Sequence, residues 1–279
     1  MFKRIITGTC VALVAILLLV LSGTFLYPVG LSLLSTMGVF EYLRAIGLVA
    51  NWRLTAPSFL CSFTAPMLGY FIKDAKDGIL WLFGALVVCY FSMTLLSLFS
   101  KEENGQRDNA SAFWGTMYIT VGFAAMAILY RTVPGGGILL TVPVFLAAWI
   151  TDTFAYFTGV FFGKHKLCPA ISPKKTVEGS LGGILFATLS FLCFGLVIDL
   201  WWGYEPSYLL LGICGALLSV LAQLGDLTMS KVKREHGVKD FGTLLPGHGG
   251  VLDRFDSFLS VSPIHLLFVL ATGGFALFV

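Results

Sequence analysis

Charged residues are scarce in this sequence: Asp, Glu, Lys and Arg together make up 12% of its 279 residues. A typical soluble domain contains about 25%, whereas 57% of the residues here are hydrophobic. Long polar stretches are also missing, so a sizeable soluble domain is not expected. The composition indicates an integral membrane protein in contact with the lipid bilayer, and no nucleic acid partner is expected.

Several motifs that would assign a common function are absent as well. The six cysteines include no C-x-x-C pair, so neither a zinc site nor a disulfide framework is indicated, and core-packing or lipid-facing roles are expected for them. The segment TGVFFGKH lacks both the glycine register and the final Ser or Thr of a P-loop. The absence of H-E-x-x-H and G-x-S-x-G argues against zincins and hydrolases with a nucleophile elbow.

Long apolar stretches dominate the sequence instead. A membrane-spanning helix needs about 20 predominantly apolar residues. The stretches that qualify are 5–26, 29–50, 54–72, 78–99, 111–130, 138–162, 180–202, 207–229 and 255–278. The first is predicted to be a retained helix, because its apolar run exceeds the roughly 7–15 residues of a signal peptide and lacks an A-x-A-like exit. The predicted fold class is an all-α polytopic membrane protein with about nine transmembrane helices.

Positive charges are distributed unevenly around these predicted spans. With the N-terminus in the cytoplasm, 14 of the 18 Lys and Arg residues fall on the cytoplasmic side, three on the opposite side and one inside a span. The positive-inside rule predicts this orientation, with the C-terminus on the opposite side. It also places the two long charged loops, 163–179 and 230–254, in the cytoplasm.

The first half of the chain contains few candidate functional residues. Glu41 and Arg44 are three residues apart in the second predicted span, so they are expected to share a helix face and could pair there. Polar residues that could take part in catalysis or ligand binding are concentrated in the second half. We therefore interpret 1–130 as N-terminal transmembrane helices and 131–279 as a C-terminal functional region.

Two segments of the second half carry candidate functional residues. Asp152 lies in an otherwise apolar span, where a carboxylate costs at least about 2.5–3.5 kcal/mol, so it is a functional candidate; a structural hydrogen bond to a neighbouring helix is the alternative. The segment ISPKKTVEGSLGG contains Ser172, Lys174, Lys175, Thr176 and Glu178. Thr176 or Ser180 is predicted to cap the following helix, with Glu178 in its first turn. Lysines at a helix N-terminus predict a bound phosphate; a lipid-facing polybasic patch is the alternative.

The densest charge lies between Ser230 and Asp256. These 27 residues hold nine of the 33 charged residues of the chain. The carboxylates of Asp226, Asp253 and Asp256, together with Asp152, are hard oxygen ligands suited to Mg²⁺. Positive charge for phosphates comes from Lys174, Lys175, Lys233, Arg234, Lys239 and Arg254.

The loop that precedes the last predicted helix completes this set. Gly249 and Gly250 permit close backbone approach to an anion. His248 is open to two interpretations: an acid–base role, or an anion contact or structural role in the loop. His265 is expected to be a buried hydrogen-bonding residue. Metal, lysines and backbone amides together favour phosphoryl or nucleotidyl transfer.

The segment SKVKREHGVKDFGTLLPGHGGVLDRFD, residues 230–256, resembles the full signature of the phosphatidate cytidylyltransferase family. DTFAYFTGVFFGKHK and SPKKTVEGSLGG are similar to another region of that family. The resemblance covers roughly the C-terminal half and implies the catalytic region at 131–279. It implies a reaction of CTP with phosphatidate that yields CDP-diacylglycerol and pyrophosphate, and a bacterial-type inner or plasma membrane location.

The resemblance also implies cofactors and site residues. Mg²⁺ is expected, with K⁺ as a second cation, and carboxylates matching Asp226 and Asp253 are the expected metal ligands. Asp152 and Asp256 are further metal candidates. The expected catalytic residues are Asp226, Asp253, Lys239, Arg254, Asp256 and Lys175. The expected phosphate-binding residues are Ser172, Lys174, Lys175, Thr176, Lys233, Arg234, His248, Gly249 and Gly250. The family fold of nine helical spans, commonly dimeric, implies a homodimer.

Two alternatives to this function remain open at the level of sequence. A CTP-dependent lipid or polyprenol kinase would transfer the γ-phosphate and release CDP. A cation-coupled transporter would be built from paired half-helices in two repeated halves, but the charge here is concentrated in one half of the chain.

Overall fold

The computed structural model describes residues 13, 16–98, 105–132, 137–244 and 249–272. Within these ranges the chain forms long helices and one small β-hairpin. The helices are α1 (Leu26–Ala45), α2 (Trp52–Phe71), α3 (Ala75–Leu98), α4 (Gly105–Arg131), α5 (Gly137–Phe162), α6 (Val177–Trp202), α7 (Tyr208–Glu235) and α8 (Leu252–Ala271). The strands are β1 (Lys166–Cys168) and β2 (Ser172–Thr176), and a short 3₁₀ turn at Leu21–Gly23 precedes α1.

These helices match the predicted spans from the second onward, while the first, 5–26, lies mostly outside the described residues. Two helices extend six residues beyond their predicted bounds: α4 begins at Gly105 rather than at 111, and α7 continues to Glu235 rather than ending at 229. Among the described residues, six helices, α3 to α8, are long and apolar enough to cross a membrane. This finding supports an integral membrane protein. The Ser, Thr and Pro content of α1 and α2 lowers their hydropathy, and neither is among the six.

The described residues divide into two compact units. The first unit contains α1 to α4 together with residues 235–255, and the second contains α5 to α7, the hairpin and the chain from Asp256 onward. Part of the signature segment thus packs with the N-terminal helices. The functional division at residue 130 remains a prediction.

The first unit has a core of apolar side chains from α1, α2 and α4. Leu43, Leu54, Ile119 and Phe123 are almost completely buried there. Some polar groups in this core are paired, as in the hydrogen bond of 2.9 Å that the Thr116 hydroxyl donates to Ser58 Oγ, whereas the buried hydroxyls of Ser32 and Ser35 have no hydrogen-bond partner among the described residues. Pairing matters because a buried hydroxyl without a partner is costly.

The second unit is built on the packing of α5 against α6. The rings of Phe154 and Phe186 stack with their centroids 4.0 Å apart, and the Thr151 hydroxyl donates to Ser219 Oγ of α7 at 2.8 Å. His265 is fully buried, with Nε2 2.9 Å from the carbonyl oxygen of Leu140. The prediction of a buried, hydrogen-bonding histidine is therefore confirmed.

A β-hairpin connects α5 to α6, where the sequence predicted only a charged loop. Its strands are antiparallel, with Lys166 opposite Thr176 and Cys168 opposite Ser172. Pro173 is exposed in β2, a position that a short edge strand tolerates. The hairpin gives the lysines of this segment a defined backbone.

Thr176, one of the two predicted candidates, caps α6: its side-chain oxygen accepts a hydrogen bond of 3.1 Å from the N–H of Gly179. Thr176→Ala should lower the free energy of unfolding by about 0.5–2 kcal/mol, because one N–H of the first turn loses its acceptor. Thermal unfolding in detergent measures the effect, and Thr176→Ser, which keeps the hydroxyl, is the control. A Thr176→Ala variant as stable as the parent would contradict a stabilising cap.

Candidate active site

An ion pair joins the hairpin to α7 within the second unit. Lys175 Nζ of β2 contacts Asp226 Oδ2 of α7, and both side chains are about one-quarter exposed, at 24% and 25%. The hydroxyl of Ser230, one helical turn later, donates to Asp226 Oδ1 at 3.4 Å. The sequence singled out Lys175 and Asp226 for different ligands, and the structure brings them together.

Two further carboxylates belong to the same group. Asp152 of α5 accepts a hydrogen bond of 3.4 Å at Oδ2 from the Ser257 hydroxyl. Asp256 is 8% exposed, accepts from the Ser257 N–H at 2.8 Å, and interacts electrostatically with Asp226, Asp152 and Lys233. We call these three aspartates the acidic cluster. Lys175 and Lys233 offset part of its negative charge.

A cavity of about 480 Å³ opens beside the acidic cluster. Its lining residues are Asp152, Ala155, Tyr156, Gly159, Val160, Lys166, Leu167, Lys174, Lys175, Thr176, Gly179, Ser180 and Gln223. Three lysines, one aspartate and several apolar side chains thus line the same cavity. The volume is in the range of small-molecule sites, about 300–1,000 Å³. Such a mixed lining suits a ligand that has both phosphate and apolar parts.

Glu178 closes the base of the hairpin. Its carboxylate accepts hydrogen bonds from the N–H groups of Lys164, at 3.1 Å, and His165, at 3.2 Å, and lies 2.6 Å from His165 Nδ1. The Val177 N–H also donates to the His165 carbonyl at 2.9 Å. These bonds hold β2, and with it Lys174 and Lys175, at the start of α6. The sequence placed Glu178 in the first turn of α6 but did not predict this role.

The signature segment of the first unit has its own hydrogen-bond network around Asp253. This residue is 7% exposed, and its Oδ2 accepts from the N–H groups of Phe241, at 2.8 Å, and Gly250, at 2.9 Å. Gly249 has φ of +79°, a left-handed conformation that favours glycine. Among the described residues, Arg254 Nε is buried without a hydrogen-bond partner, which fits a group that binds an anion.

The remaining predicted phosphate-binding residues differ in exposure. Lys174, Arg234 and Lys239 are exposed, Ser172 is half-buried, and Lys233 is only 7% exposed. Lys233 interacts electrostatically with Asp256, which is also buried. His248 lies outside the described residues, so both interpretations of it remain predictions.

The donor set of the acidic cluster fits Mg²⁺. Carboxylate oxygens are its preferred protein ligands, and the ion is commonly held by one or two carboxylates together with water and substrate phosphates. Within the ranges that the structure describes, no three Asp, Glu, His or Cys residues are arranged to hold a metal on their own.

Comparison with known proteins assigns the family. The chain matches the cytidylyltransferase family over residues 2–272. It is 36% identical to a phosphatidate cytidylyltransferase of Bacillus subtilis over 286 residues, covering 97% of this chain and 98% of that protein. It is also 35% identical to a phosphatidate cytidylyltransferase of Staphylococcus saprophyticus, covering 89% of this chain and 88% of that protein. The chain therefore belongs to the cytidylyltransferase family.

Proposed function

We propose that this protein is a phosphatidate cytidylyltransferase, which converts CTP and phosphatidate to CDP-diacylglycerol and pyrophosphate. The observation that carries the proposal is the end-to-end similarity to the Bacillus subtilis protein of that name. The mixed cavity beside the acidic cluster is compatible with it, because one substrate is a triphosphate and the other a lipid with a phosphate headgroup.

The reaction makes limited demands on acid–base chemistry. A phosphate monoester has a second pKa of about 6. The phosphatidate oxygen that attacks the α-phosphorus of CTP is therefore already largely ionised at neutral pH. The bond that breaks joins the α-phosphorus to the oxygen of the departing pyrophosphate. Lys174 and Lys175, held by the hairpin beside the cavity, would neutralise the phosphates during this transfer.

The other cationic residues have supporting roles in this proposal. Lys239 and Arg254 would neutralise the triphosphate and the pyrophosphate, and Arg234 would add positive charge. Arg254 Nε is buried and has no hydrogen-bond partner within the described ranges, which supports this role for Arg254. Lys233 contributes through Asp256, since the two side chains interact electrostatically.

We propose Mg²⁺ as the cofactor, with Asp226 as a ligand and Asp152 and Asp256 as further candidates. When bound, the ion would neutralise charge on the reacting phosphates and orient them. The proposal that Asp253 is a ligand, and that K⁺ is a second cation, rests on the family resemblance. A homodimer, a cytoplasmic active site and N-terminus, and a C-terminus on the opposite side remain proposals on sequence grounds.

The test is pyrophosphate release by the purified protein in detergent with CTP, dipalmitoyl phosphatidate and Mg²⁺. The proposal requires release that depends on both substrates and stops when EDTA removes the divalent cation. Formation of CDP with a lipid alcohol acceptor would instead indicate a kinase. No activity in either assay, from protein that elutes as a single folded species, would argue against a nucleotide-dependent enzyme.

A further inference from the structure

Two charged residues of α1 bind the backbone of the signature segment within the first unit. Glu41 is 1% exposed, and its carboxylate accepts hydrogen bonds from the N–H groups of Val251, at 3.1 Å, and Leu252, at 2.8 Å. Leu252 is the first residue of α8. The first N–H groups of a helix have no acceptor within the helix, and their positive dipole end favours an anion. Glu41 supplies both acceptor and charge to this end of α8.

Arg44, one helical turn after Glu41, holds a second point of the same segment. Its Nη2 donates a hydrogen bond of 2.9 Å to the carbonyl oxygen of Phe241. The N–H of that same Phe241 donates to Asp253 Oδ2 at 2.8 Å. The backbone of Phe241 therefore connects the Arg44 guanidinium to the Asp253 carboxylate.

The glycines of the signature provide an independent observation. A Cβ atom added to either Gly242 or Gly250 would collide with the Glu41 carboxylate. The N–H of Gly250 is also one of the two donors to Asp253 Oδ2. These glycines leave the space that Glu41 occupies, so the signature segment is shaped around a side chain that lies outside it.

We propose that Glu41 and Arg44 are positioning residues, which hold Asp253 and the start of α8 in the arrangement that catalysis requires. The proposal rests on the proposed function for its catalytic part. Neither side chain needs to touch a substrate. Glu41 acts through the N–H groups of Val251 and Leu252, and Arg44 acts through Phe241.

The central experiment uses Glu41→Gln, which keeps the size of the side chain and removes its charge. We expect kcat for pyrophosphate release to fall about 10- to 100-fold, the usual effect of losing a group that orients a ligand or catalytic residue, while KM for CTP changes little. Hydrogen exchange at the amides of 250–252 should become faster in the same variant. Glu41→Asp, which keeps the charge, should retain more of both properties than Glu41→Gln.

Two further variants complete the experiment. Arg44→Gln should lower kcat less than Glu41→Gln does, because it removes one hydrogen bond rather than a charged acceptor of two. Ser35→Ala is the matched control on α1: Ser35 is fully buried, and its hydroxyl has no hydrogen-bond partner in the part of the chain that the structure describes. It should leave both kcat and hydrogen exchange at 250–252 unchanged.

The two readouts separate a positioning role from simple structural support. If Glu41→Gln lowers only the yield of folded protein and keeps the parental kcat, the positioning proposal is wrong. Unchanged hydrogen exchange at 250–252 would overturn it as well. If the unmodified protein releases no pyrophosphate, the proposed function fails, and the exchange comparison still decides whether Glu41 holds the start of α8.

Discussion

Replacing Asp226 with asparagine should slow pyrophosphate release by about 100- to 1,000-fold, the range observed when one preorganised electrostatic group is removed from an active site. Asparagine keeps the size of the side chain but carries no negative charge. It therefore cannot form the ion pair with the Lys175 ammonium or offset the charge of a bound cation. The measurement is the initial rate with saturating CTP and phosphatidate, normalised to folded protein.

Asp199→Asn is the matched control for this substitution. Asp199 is also an aspartate of the second unit, but it lies near the far end of α6, where its Oδ2 accepts a hydrogen bond of 3.2 Å from the Tyr208 hydroxyl. Its replacement should leave the rate within about twofold, as for most surface substitutions. Equal losses in the two variants would show that Asp226 has no special role in the reaction.

Lys175→Met is expected to lower kcat/KM by about 100-fold, because methionine keeps the apolar stem and removes the charge that would neutralise a phosphate. The corresponding control is Lys164→Met. Lys164 is exposed, and its contact with Glu178 is made by the backbone N–H rather than by the side chain. The control should therefore retain the parental kcat/KM.

The ion pair with Asp226 gives Lys175 a second possible role, as a counter-ion only. Binding of a non-hydrolysable CTP analogue distinguishes the two roles. A phosphate-binding Lys175 requires weaker binding of the analogue in Lys175→Met, by about tenfold or more for one lost charge-assisted hydrogen bond. Parental affinity for the analogue combined with slow turnover would show that Lys175 acts on Asp226 alone.

The helices and one helix cap could be predicted because their causes are local in the sequence. About 20 apolar residues in succession are sufficient to predict a membrane helix. Thr176 was predictable as the cap of α6 because an N-cap bonds to an N–H only three residues away. The end of α7 was harder to predict, since its last turns are polar and carry no apolar pattern.

Contacts between distant parts of the chain could not be predicted in the same way. Glu41 and the N–H of Val251 are 210 residues apart, and no local pattern in α1 indicates that partner. The sequence suggested only that Glu41 and Arg44 could pair with each other. Lys175 and Asp226 were each recognised by residue type and neighbourhood, but their direct contact depends on how β2 packs against α7.

The β-hairpin has a consequence for depth in the bilayer. Its two strands form a two-stranded sheet, and exposed residues of β1 and β2 include Lys166, Pro173 and Lys174. Strand edges exposed to lipid are unfavourable in the hydrocarbon core, because their N–H and C=O groups would have no hydrogen-bond partners. We therefore expect the hairpin to lie in water, in the headgroup layer or along a water-filled cavity.

The length of α6 can be compared with the thickness of the membrane. A helix of 26 residues is about 39 Å long, compared with about 30 Å for the hydrocarbon core. At its far end Trp201 and Trp202 are 78% and 55% exposed, as expected for an interfacial aromatic belt. We therefore expect the hairpin and this tryptophan pair to lie at opposite membrane surfaces, and the ion pair of Lys175 with Asp226 to lie near the surface on the hairpin side.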